Sequence, residues 1–159
     1  TISGPLQAGM LYDGSITLEN ETESPAELIN EEIEEEADEH QFFYQAASGV
    51  NATFAYADTE NDYMNNGVAN PVGLEFTLQA GTASSGTITV TLRHQPAKDA
   101  AGVSAGEIAN ASGTKITSAE SEPPFQSAMI LLLTDRSPSY SNKILFSSFN
   151  SFKTLFFAI

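Results

Sequence analysis

The chain holds two histidines, and the first, His40, directly follows an acidic run from Glu31 to Glu39 that contains seven carboxylates, Glu36, Asp38 and Glu39 among them. Imidazole is the commonest side-chain ligand for first-row metals, and an acidic setting lowers the cost of bringing a cation to it. His40 shares strand parity with Phe42 and Tyr44, and the second histidine, His94, shares it with Ile88, Val90 and Leu92. Each imidazole therefore falls at a strand end on the side that elsewhere points inward. This placement yields a candidate site for zinc or another divalent cation, built from His40 and His94 and completed by Glu36 or Glu39. The competing reading is that both histidines are polar strand caps, satisfied by backbone or carboxylate hydrogen bonds. Ring nitrogens more than ~10 Å apart would rule out the site, since zinc–nitrogen bonds are only ~2.0–2.1 Å long.

A second set of oxygens runs from Asp58 to Gly67, with Glu60 and Asp62 at alternate positions as in calcium loops. It is not an EF-hand: Tyr63 stands where the glycine is required and Ala69 where the bidentate glutamate belongs. A solvated strand connection is the preferred reading of the segment. No Gly-x-Ser-x-Gly elbow, phosphate-cradling glycine loop or His-Glu-x-x-His occurs, and carboxylate pairs are too numerous for one to stand out. The expectation is a protein that is not an enzyme. Cysteine is absent, which excludes disulfides, thiolate metal sites and cysteine nucleophiles within these residues.

The elements that must position the histidines read as strands. Ile16 and Leu18 alternate with Ser15, Thr17 and Glu19; Ala52, Phe54 and Tyr56 form one parity after a turn at Ser48-Gly49; Leu74, Phe76 and Leu78 alternate with Glu75, Thr77 and Gln79; Ile88, Val90 and Leu92 oppose Thr87, Thr89, Thr91 and Arg93. That period of two predicts half-buried antiparallel strands, with Leu74 to His94 as a paired hairpin. Ser24-Pro25-Ala26-Glu27 carries the signs of a helix start, and Leu28, Ile29, Ile33 and Ala37 recur at helical spacing, predicting one acidic helix over Pro25 to Asp38. The fold class expected is all-β, an antiparallel immunoglobulin-like sandwich with one inserted acidic helix.

Of 159 residues, 21 are acidic and 6 basic, and the imbalance is regional: residues 1–113 hold 18 acidic side chains against Arg93 and Lys98 alone, while 114–159 hold 3 against 4. So negative a body repels phosphate backbones, which excludes nucleic acid as a partner and makes cations the natural one. From residue 114 the alternation fades, so the chain divides into a sandwich domain over 1–113 and an off-pattern, poorly ordered tail over 114–159. No apolar run approaches the ~18–20 residues of a spanning helix.

Together the runs Gly14 to Glu21, Glu35 to Tyr44, Asn70 to Leu74 and Ser85 to Pro96 resemble a group of small uncharacterised bacterial lipoproteins that carry the label "type 1 periplasmic-binding domain". The resemblance spans roughly residues 6–113. It implies export, an outer-membrane or cell-surface address in a Gram-negative bacterium, and attachment to the membrane only through a lipid on a cysteine upstream of Thr1. It supplies no activity, and the label fits poorly because that fold is a large two-lobed α/β structure. Members of the group continue beyond the glycine near 113 with an acidic alternating strand, whereas this chain reads Thr114-Lys115-Ile116-Thr117-Ser118. A reading-frame shift near Gly113 and a divergent tail both account for the departure. The function expected is a non-enzymatic cell-surface or periplasmic lipoprotein domain that binds a ligand, a divalent metal ion being one candidate. The alternative is a structural or adhesive module without a small ligand.

Overall fold

Alternation in the first strand sets up the architecture: Tyr12, Ile16 and Leu18 are buried on one side of β1 (Leu11–Asn20), and Gly14 completes that side. A computed structural model describes residues 6–22, 24–115, 127–136, 143–149 and 154–158. Its strands form two antiparallel sheets in a sandwich-like arrangement. Further elements are β2 (Glu27–Leu28), α1 (Asn30–Glu35), β3 (His40–Ala46), β4 (Ala52–Tyr56), α2 (Glu60–Met64), β5 (Glu75–Ala80) and β6 (Ser85–His94). After them come β7 (Thr114–Lys115), β8 (Ser127–Asp135), β9 (Lys143–Phe149) and β10 (Thr154–Ala158). One sheet runs β4-β5-β1-β8-β9 with β2 added to β1, and the other runs β10-β6-β3 with β7 added to β6. The inward residues of both sheets meet in one core, where Ile16, Phe76, Leu78 and Leu131 face Phe42, Ile88, Val90 and Leu92. Each such side chain removed from water contributes about 1.5–3 kcal/mol.

Two expectations need correction. Leu74 to His94 is not a hairpin: β5 pairs with β4 and β1, whereas β6 pairs with β3, β7 and β10. The connection at Gly81–Ser84 crosses from one sheet to the other, as does the Ala47–Asn51 connection between β3 and β4. The two crossings are bonded together, Gly81 N–H to Asn51 O at 2.7 Å and Asn51 Nδ2 to Thr82 Oγ1 at 2.8 Å. Period identifies a strand but not its neighbour, and here both neighbours in sequence lie across the core.

The acidic helix is also shorter than its signals predict, and it is one of two. Glu27 and Leu28 extend as β2 against Asn20 and Glu19, and Ile29 N–H donates to Leu18 O. Asn30 then accepts Leu18 N–H through Oδ1 at 2.7 Å and donates from Nδ2 to Ile16 O at 2.8 Å. These bonds satisfy the stretch of β1 that runs beyond its pairing with β5, which outweighs an early helix start. Ile33 and Ala37 remain buried from the expected stripe, while Leu28 is exposed.

The outer side of β3 carries a smaller core. Phe43 packs with Val103 and Ala111 under the segment 97–113, and Gln41, fully buried, donates from Nε2 to Val103 O and Tyr56 Oη. As a result β3 is buried on both sides at its start.

Candidate metal centre

The register of β3 on β6 follows from the core. Phe42 sits opposite Leu92, Tyr44 opposite Val90 and Ala46 opposite Ile88, because any one-residue slip would turn these apolar side chains outward. Extending the same ladder one inward pair further places His40 opposite His94. Directly opposed residues in an antiparallel pair hold their Cβ atoms about 4.5–5.5 Å apart, and the two rings lie with centroids 5.1 Å apart and planes inclined by 31°. The main chain continues the pairing, with Gln95 N–H donating to Glu39 O at 2.6 Å.

Glu36 reaches this pair from the turn that follows α1. Glu39 N–H donates to Glu36 O at 2.9 Å, closing the turn, and His40 Nδ1 lies 3.0 Å from the same carbonyl. A carbonyl only accepts, so Nδ1 carries the proton. The ligand atoms offered by Glu36, His40 and His94 lie within 4.8 Å of one another, with Glu36 exposed, His40 buried and His94 between the two. Burial holds the His40 imidazole below its ordinary value of 6.5; the neighbouring His94 adds to that, and the Glu36 carbonyl bond opposes it. His40 is therefore a neutral imidazole at pH 7, with a lone pair on Nε2.

The second expected carboxylate is placed differently. Glu39 Oε2 accepts from His94 Nε2 at 3.0 Å and from Gln95 Nε2 at 2.9 Å, and these bonds, the Gln95 one foremost, hold its carboxyl below the usual range. It stands beside the three-residue group rather than in it, and Asp38 does not join either. Gln95, unremarked in the sequence, supports Glu39 from a left-handed backbone position with φ 53°. Nothing in its residue type signals that conformation.

Behind the turn lies a buried ion pair. Lys98 Nζ is 3.0 Å from Glu60 Oε1, each side chain 4% exposed, and donates to Ala37 O at 2.5 Å and Pro71 O at 3.1 Å. Burial lowers the Lys98 pKa while Glu60 opposes the shift. All three contacts pin the Glu36 turn to the body of the protein.

The Asp58–Gly67 oxygens are engaged by protein donors. Asp58 accepts from Gly73 N–H at 2.7 Å, Glu75 N–H at 3.0 Å and Tyr63 Oη at 2.9 Å. Asp62 closes a capping box with Thr59, Asn61 accepts Gly67 N–H, and Glu60 takes Lys98. The segment folds around α2 as a strand connection and not as an ion loop. Elsewhere a cleft of about 390 Å³ opens beside Tyr44, Phe54, Tyr56 and Gly106. Its tyrosine hydroxyls are already spent on Gly73 O and Phe42 O. No helix among the described residues is long and apolar enough to cross a membrane. No family model, curated protein or solved structure matches this chain.

Proposed function

We propose that this chain is a non-enzymatic cell-envelope lipoprotein domain, built as an immunoglobulin-like sandwich, whose Glu36, His40 and His94 bind a divalent transition metal such as zinc. The observation that carries this reading is the convergence of those three ligand atoms within 4.8 Å. A triangle of that size has its centre about 2.8 Å from each corner, against ~2.0–2.2 Å for zinc bonds to nitrogen and oxygen, so each ligand must move by less than ~1 Å. Side-chain rotation supplies that without moving either strand. The neutral His40 adds support, because a ligand that carries no extra proton has none to release on binding. Three protein ligands leave a position for water, the arrangement of an open site. The envelope address rests on the resemblance over residues 6–113 to bacterial lipoproteins.

Calorimetric titration of zinc into the wild type and His94→Ala tests the site. We expect the variant to lose at least about tenfold in affinity, ~1.4 kcal/mol. Equal affinities would mean diffuse attraction of cations to the acidic surface, leaving a structural or adhesive module.

A further inference from the structure

We infer that Glu39 is a positioning residue of this centre: its carboxylate holds the His94 Nε2–H, so that His94 binds the metal through Nδ1 while His40 binds through Nε2. The inference rests on the metal-binding reading and extends it to the coordinating atoms. A carboxylate oxygen accepting from the Gln95 amide at 2.9 Å is an acceptor toward His94 Nε2 at 3.0 Å as well, which makes Nε2 the donor and leaves Nδ1 as the nitrogen that offers a lone pair to a metal. At His40 the assignment is reversed, since Nδ1 faces the Glu36 carbonyl at 3.0 Å. Each ring thus donates one N–H to a fixed oxygen and keeps the opposite nitrogen open. Such outer partners fix ring orientation and raise ligand basicity, and their loss costs about 10–100-fold in metal affinity. Glu39 itself is held on two sides, by Gln95 Nε2 at its carboxylate and by Gln95 N–H at its main-chain carbonyl.

The test is nitrogen-15 NMR of the imidazoles in the zinc-loaded protein, combined with zinc titration of Glu39→Ala and Glu39→Gln. The expected result is metal-shifted Nδ1 at His94 and metal-shifted Nε2 at His40. Affinity should fall about 10–100-fold in Glu39→Ala and less in Glu39→Gln, which keeps an acceptor oxygen. Zinc bound through Nε2 of His94, or unchanged affinity in Glu39→Ala, would overturn the role of Glu39 and leave the centre standing. Failure of the wild type to bind zinc would remove both.

Discussion

His40 makes the folded state sensitive to pH. Its imidazole is held below 6.5 by burial, so the unfolded chain takes up a proton more readily than the native one. Stability from this residue is complete above about pH 6.5 and is lost as pH falls from there through the lower native value. The carboxyls whose values are raised by burial, Glu34 and Glu75, act in the opposite sense as pH rises above about 4.5. Denaturant midpoints measured at pH 7.5 and 5.5 should therefore fall in the wild type and change less in His40→Asn. At this scale the sequence was informative where residue type and parity sufficed: the two histidines and their inward side follow from Phe42 and Leu92. It could not separate Glu36 from Glu39, because both belong to one acidic run and only the turn geometry sends the first to the ring pair and the second to His94 Nε2. Asp58 was misleading for a similar reason. A carboxylate that accepts two main-chain N–H groups and a tyrosine hydroxyl looks, in sequence, like any other acidic loop residue.

Among the elements, the turn after α1 depends on a contact far away in the chain. Lys98 offers its ammonium to Glu60 and to the carbonyls of Ala37 and Pro71. Removing one member of a buried pair leaves the other charge uncompensated, at a cost of about 3–5 kcal/mol. Lys98→Met should accordingly lower the denaturant midpoint sharply, and adding Glu60→Leu should recover part of the loss while the two carbonyls stay without their donor. A double variant no more stable than the single one would show that the carbonyl bonds, and not the ion pair, dominate. Helix signals at Ser24–Glu27 were overridden by the same kind of distant demand. The open side of β1 takes Leu28, Ile29 and Asn30 as partners, and a local motif worth about 1 kcal/mol does not compete with several backbone bonds.

For the whole molecule, residues beyond 114 enter both sheets: β8 lies between β1 and β9, and β10 borders β6. Met129, Leu131 and Leu133 are buried and alternate with half-buried Ile130 and Leu132. Because both parities are apolar, the run Ala128 to Leu133 hides its period, as a strand flanked on both sides does. The expected poor order of the tail falls in part on residues 116–126, 137–142, 150–153 and 159, which lie outside the described residues. Sheet partnership was the least legible property of all, since β5 and β6 adjoin in sequence and pair with different strands. Zinc should raise the melting temperature of the wild type by more than that of His94→Ala, because only a ligand that prefers the native state stabilises it. The size of that gain has a hidden ceiling. Glu36 and His40 are four residues apart, so the unfolded chain still carries a two-ligand chelate, while His94 is delivered only when β3 zips onto β6. The stabilisation then measures not the affinity of the site but the effective concentration at which the fold presents its third ligand. Comparing zinc binding to a peptide spanning 31–45 with binding to the intact protein would turn the centre into a gauge of how firmly these two strands are joined.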